Sequence, residues 1–137
     1  MPRGYRQIDH TADLALEVWA ESEEELLAAG AQALTEIMTE GARIEPRSER
    51  DVAIDGIDAA DRLVQWLNEI VVAAVVDGFL FHSAAIQLEP PGRLRARVRG
   101  EPDAGARVVA ELKSATYHDL ELGRAGDTWR ARVVIDV

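Results

Sequence analysis

Leu14-Ala15-Leu16-Glu17-Val18-Trp19-Ala20, running on into Glu21-Ser22-Glu23-Glu24-Glu25-Leu26-Leu27, is the stretch that decides the fold. Leu14, Leu16 and Val18 alternate with Ala15, Glu17 and Trp19, the period-two signature of a half-buried strand that begins directly after Asp13. The period then changes. Ser22 can accept from the Glu25 backbone N–H while the Glu25 side chain reaches back, a capping box that predicts a helix start. The acidic first turn suits the positive end of the helix dipole. Leu26, Gly30, Ala33, Leu34, Ile37 and Met38 fall on one face of that helix and Gly41 supplies its stop, so the helix is expected to cover a sheet.

Further along, a polar segment around Pro46 and a short Val52/Ile54 alternation lead to Asp58, a second N-cap. Its helix carries Leu63, Trp66, Leu67, Ile70, Val71 and Ala74 on one face, and Gly78 marks its end. Beyond it the pattern is β: residues 79–88, a Pro90-Pro91-Gly92 turn, Leu94/Ala96/Val98 alternating with arginine, residues 108–113, and residues 129–136. Two helices among early strands, followed by a β-rich second half, predict an α+β fold. We expect one domain over residues 1–137, with a mixed or antiparallel sheet and two main helices packed on it. Trp19 and Trp66 occupy periodic apolar positions and read as packing residues rather than a stacking platform.

Composition narrows the function. The chain has 137 residues, of which 15 are Lys or Arg and 25 Asp or Glu, for a net charge of -10. That length buries roughly two-thirds of the unfolded chain's surface in one core, so folding requires neither disulfide nor metal. The absence of cysteine excludes a thiolate zinc site, an iron–sulfur cluster and a cysteine nucleophile. The acidic balance disfavours direct binding of free nucleic acid. No apolar run approaches the roughly 20 residues that span a bilayer, and no signal-peptide pattern opens the chain, so a cytoplasmic protein without membrane contact is expected.

Polar residues that an ordinary sheet does not require cluster at His10-Thr11-Ala12-Asp13, Lys113-Ser114-Ala115-Thr116-Tyr117-His118 and Ile135-Asp136-Val137. If the first and last strands are neighbours, Asp13, Asp136 and the Val137 carboxylate form an all-oxygen set suited to a hard cation. By spacing alone the plainer reading is favoured, with Asp13 capping a turn and Asp136 solvated. Lys113, Tyr117 and His118 could serve proton transfer or phosphate binding, or simply line a β-edge. No nucleophile triad, phosphate loop or paired-histidine motif accompanies them. Arg93, Arg95, Arg97 and Arg99 place four guanidinium groups on one strand face, either a partner surface or a solvated face paired with acidic neighbours. Asn68-Glu69 on the second helix is less easily explained by packing than the tryptophans are.

In order and spacing, His10-Thr11-Ala12-Asp13, Trp66-Leu67-Asn68-Glu69, Gly100-Glu101, Lys113–His118 and Ile135-Asp136-Val137 together resemble the archease family over essentially the whole chain. The family's usual Lys-Ala-Xaa-Thr-Tyr-His stands here with Ser114 in place of Ala. The resemblance implies a non-enzymatic accessory protein of the RtcB-type RNA ligase, which joins RNA ends in tRNA splicing and RNA repair with GTP and Mn²⁺. Such an activator promotes guanylylation of the ligase's histidine, restores multiple turnover and broadens nucleotide use, meeting RNA only through the ligase. The resemblance also implies a metal site at Asp13, Asp136 and Val137, holding Ca²⁺ or else Mg²⁺ or Mn²⁺, which reverses the preference that spacing gave. Lys113, Tyr117, His118 and His10 become candidates that support activation. Two alternatives remain open at this point: an independent metal-dependent phosphohydrolase using Asp13, Asp136 and His118, and a metal-independent chaperone-like scaffold binding through the arginine face.

Overall fold

The computed structural model describes residues 3–9 and 13–137. Element order is β1 (Gly4–Asp9), β2 (Leu14–Ala20), α1 (Glu23–Thr39), β3 (Ser48–Asp55), α2 (Ala59–Val75), β4 (Leu80–Glu89), β5 (Arg93–Glu101), a 3-10 turn (Gly105–Arg107), β6 (Ser114–Ala115), β7 (Glu121–Ala125) and β8 (Thr128–Asp136). The strands form two sheets, antiparallel throughout. One runs β1-β2-β8-β6 with β7 also on β8; the other runs β3-β5-β4.

The caps that open both helices form. Ser22 Oγ accepts from Glu25 N–H at 3.1 Å, and Asp58 Oδ1 accepts from Asp61 N–H at 2.8 Å. The Glu25 carboxylate makes no return bond among the described residues, so only the Ser22 half of the expected capping box is present. α1 ends at Thr39, two residues before Gly41, with its C-cap Glu40 in the left-handed region at φ 55. α2 ends at Val75, and Gly78, at φ 67, turns the chain into β4.

The core lies between the helices and the inner faces of both sheets. Leu14, Leu16, Val18 and Ala20 of β2 and Ala131, Val133 and Ile135 of β8 face it from one sheet. From the other come Leu94, Ala96 and Val98, whose alternation with exposed arginines is the period-two pattern in its plainest form. Trp66 is fully buried at the junction of these layers. Its Nε1 donates to Leu27 O of α1 at 2.8 Å, and its ring meets Phe81 of β4 edge-on at 6.2 Å. The helix N-termini are tied together by Arg62, 5% exposed, which pairs with Glu23 at 2.8 Å and donates to the carbonyls of Glu89 and Arg93.

Residues 108–113 are not a strand, contrary to the pattern of their apolar positions. Val109 and Ala110 N–H both donate to Met38 O in the last turn of α1, and Leu112 is buried. Donors that a ladder would use instead satisfy a helix-end carbonyl, so pairing with β8 is confined to the two residues of β6. Strands β1 and β7 lie outside the sequence reading. β7 is exposed at most of its positions and therefore lacks an apolar period, and its turn into β8 is made by Gly126 at φ 60.

Candidate functional site

Asp13 immediately precedes β2 and Asp136 closes β8. Because these strands pair antiparallel with Leu14 opposite Ile135, the two aspartates come to the same end of neighbouring strands although they stand at opposite ends of the chain. On the other side of β8 lies β6, with Ser114 opposite Asp136 and Ala115 opposite Ile135. Lys113 N–H donates to Asp136 O at 2.9 Å. Asp13 and Asp136 are half-buried, while Lys113 and Val137 are exposed. The corner therefore brings together two aspartates, Val137 and the chain's single lysine.

The segment carrying Lys113 is a strap laid along α2. At the helix's C-terminal end Ala104 N–H donates to Gly78 O at 2.8 Å. Midway, Asn68 takes both backbone groups of Ala115: the Ala115 N–H donates to Oδ1 at 2.7 Å, and Nδ2 donates to Ala115 O at 3.2 Å. Near the helix's start Tyr117 O–H donates to Asp61 Oδ1 at 2.5 Å. Thr116 fastens the strap to β8, its N–H and Oγ1 both donating to Val134 O at 2.9 Å.

Electrostatics follow from these contacts. The Tyr117 hydroxyl, helped by the Ile57 N–H, holds the Asp61 carboxyl below its ordinary 3.8. The same bond, with Asp61 as acceptor, raises the Tyr117 phenol above 10.0. At neutral pH the pair is thus an ionised carboxylate and a neutral phenol. His118 is exposed, its Nε2 lying 3.2 Å from Asp119. Tyr117 and His118 thus bond to Asp61 and Asp119, not to Asp136. His10 lies outside the described residues.

Glu101, part of the Gly100-Glu101 strand end, is 4% exposed and holds the loop before β3. Its Oε1 accepts from Glu45 N–H at 2.9 Å and Arg107 Nη1 at 3.1 Å. The arginine row of β5 meets its own sheet: Arg97 lies 3.4 Å from Glu49 and 3.2 Å from Asp51 on β3, and Arg93 lies 3.6 Å from Glu89. Sequence reading noted Asn68 without a role and did not notice Asp61. Asn68 is an uncharged polar residue directly after Trp66 and Leu67 of the apolar face, which is a signal, whereas Asp61 reads as one more acidic residue in a first turn.

These features define a small α+β protein with a helix pair between two antiparallel sheets and with its distinctive polar residues at strand ends rather than in an enclosed pocket. Residues 5–137 match the Archease protein family (MTH1598/TM1083). The chain belongs to the archease family. It is 34% identical over 138 residues to the protein archease of Methanopyrus kandleri, covering 97% of this chain and 99% of that one. To that of Pyrococcus abyssi it is 28% identical over 140 residues, covering 97% and 98%. Among solved structures, it resembles protein 1598 of Methanobacterium thermoautotrophicum, with a TM-score of 0.78 at 26% identity over 98% of this chain and 99% of that one. It also resembles a Thermotoga maritima archease described as a possible chaperone, with a TM-score of 0.60 at 26% identity over 96% of each. No helix among the described residues is long and apolar enough to cross a membrane.

Proposed function

We propose that this chain is a non-enzymatic activator of an RtcB-type tRNA-splicing and RNA-repair ligase. It promotes GTP-dependent guanylylation of the ligase's histidine, sustains multiple turnover and broadens the nucleotides the ligase accepts, acting in the cytoplasm. Family membership supports this reading. The observation that carries it is the register of β2 on β8, which sets the Asp13 and Asp136 strand ends side by side.

The donor chemistry fits a hard cation. Asp13 and Asp136 offer carboxylate oxygens, and Val137, next to Asp136, would add a main-chain oxygen as a third donor. Among the described residues no third Asp, Glu, His or Cys side chain joins them. Bound there, Ca²⁺, or Mg²⁺ or Mn²⁺ in its place, would supply positive charge able to meet phosphate oxygens. Lys113, exposed beside Asp136, offers an ammonium to the same phosphate or to a carboxylate of the ligase. Tyr117, held by Asp61, shapes the strap next to Lys113, and His118 presents an exposed imidazole beyond it. His10 is a further candidate on the polar segment before Asp13. With a net charge of -10 the protein meets RNA through the ligase, and the phosphoryl chemistry stays on the ligase. An independent phosphohydrolase would need His118 at the two aspartates, whereas it pairs with Asp119.

The test is GMP transfer from GTP onto the ligase at substoichiometric activator, with the wild type and with folded Asp13→Ala and Asp136→Ala variants. Stimulation by the wild type that both variants lose is the expected result. Full stimulation by the folded double variant would overturn the reading. A chaperone-like scaffold, the alternative that the description of the Thermotoga relative favours, would instead stimulate equally in excess chelator.

A further inference from the structure

We propose that Asn68 is the positioning residue of the Asp13/Asp136 corner, its side-chain amide acting in place of a neighbouring strand to hold β6 in register on β8. The inference rests on the reading of that corner given above.

β6 has two residues, too few for a ladder to hold its own register. The backbone groups of β6 and of the residue on either side of it divide between two supports. The N–H groups of Lys113 and Thr116 go to carbonyls of β8, while the N–H and C=O of Ala115 go to Asn68, at 2.7 and 3.2 Å. A primary amide carries a donor and an acceptor side by side, as a strand edge does, so it satisfies both groups at once. Aspartate offers acceptors alone, and alanine offers neither.

Asn68 is itself set by rigid neighbours. It follows Trp66 and Leu67, both fully buried, so its azimuth on α2 is fixed by the core. The geometry thus runs from the core through Asn68 to Ala115, on to Ser114 opposite Asp136, and to the Lys113 N–H on the Asp136 carbonyl. Without the amide, Ala115 has an unpaired donor and acceptor, and the strap keeps only its Lys113 and Thr116 bonds to β8, losing the support of α2 that fixes its register. Lys113 and Asp136 then lose their fixed relation. Groups that orient metal ligands from behind typically change affinity by about 10- to 100-fold when removed.

The experiment uses the full chain with Asn68→Ala and Asn68→Asp, and Val98→Ala in β5 as a variant destabilised away from the corner. Amide hydrogen exchange and Ca²⁺ affinity by titration calorimetry are measured on each. In Asn68→Ala, exchange at Ala115 and Lys113 is expected to accelerate at least about tenfold relative to β5, with Ca²⁺ affinity falling about 10-fold or more. Asn68→Asp should follow Asn68→Ala, and Val98→Ala should keep wild-type affinity. Unchanged affinity in Asn68→Ala, or an equal loss in Val98→Ala, overturns the positioning role. If the wild type takes up no Ca²⁺, the corner reading itself fails. Exchange then decides for Asn68 alone: acceleration at Ala115 upholds the clamp and unchanged protection overturns it.

Discussion

The three-stranded sheet and the Lys113–Asp136 corner are built on opposite principles. β3, β5 and β4 are eight, nine and ten residues long and pair over almost their full lengths. Their outer arginines and carboxylates pair with each other in solvent, where each such contact contributes about 0–1 kcal/mol. Such a sheet is redundant, since many equivalent backbone bonds hold it and no single exposed side chain matters much. The corner instead has a two-residue strand held by individual groups that reach across 47 and 56 positions of sequence, Asn68 to Ala115 and Tyr117 to Asp61. Redundancy makes a region tolerant, whereas dependence on single contacts makes it sensitive and adjustable.

The strongest way to break this contrast is to remove what both regions share. Trp66 backs the three-stranded sheet through Phe81 and fixes the helix that carries Asn68. Trp66→Ala should cost about 3–5 kcal/mol in urea unfolding and loosen both regions together. Arg62→Ala comes close to this, because it strands the half-buried Glu23 and two carbonyls at the helix junction. A loss of about 3–5 kcal/mol in the same assay is expected, without a change at the corner beyond that of the fold as a whole.

Smaller changes should separate the two regions. Thr116→Val keeps shape but deletes the hydroxyl on Val134 O, a loss of about 1 kcal/mol that should appear in hydrogen exchange of residues 113–116 and not in β5. Tyr117→Phe should return the Asp61 carboxyl upward towards its ordinary 3.8 in an NMR titration. The sign follows from both partners. Asp61, lowered in the folded state, contributes stability above its unfolded pKa that is lost as pH falls through the folded one. Tyr117, raised, contributes below 10.0, and that is lost as pH rises through its folded value. Wild type and variant should therefore differ most between these limits and converge outside them. Arg97→Gln should change stability by no more than about 0.5 kcal/mol and leave ligase stimulation intact. Lost stimulation in that variant would move the partner surface to the arginine face and favour a scaffold.

The same contrast explains what was legible. Both helices, their caps and the strands of the second sheet could be read because period and end signals are local: Ser22, Asp58, and Leu94, Ala96 and Val98 between arginines carry their meaning within a few residues. The 108–113 segment misled because Val108, Val109 and Leu112 have strand composition, while their backbone donors are claimed by Met38 of a helix far earlier in the chain. β7 was invisible because an exposed hairpin strand has no apolar face to mark it.

By itself, then, the sequence determined the α+β class, the two amphipathic helices, the β-rich second half and the short polar motifs that resemble the archease family. Those properties depend on the order of side chains along a few turns or strand residues. Only the tertiary structure decided that the strands divide into two sheets, that Asp13 and Asp136 meet at one corner, and that Asn68 and Asp61 hold the strap beside it. These are pairings across most of the chain's length, and register between distant segments is set by the packing of a common core, which no local period encodes.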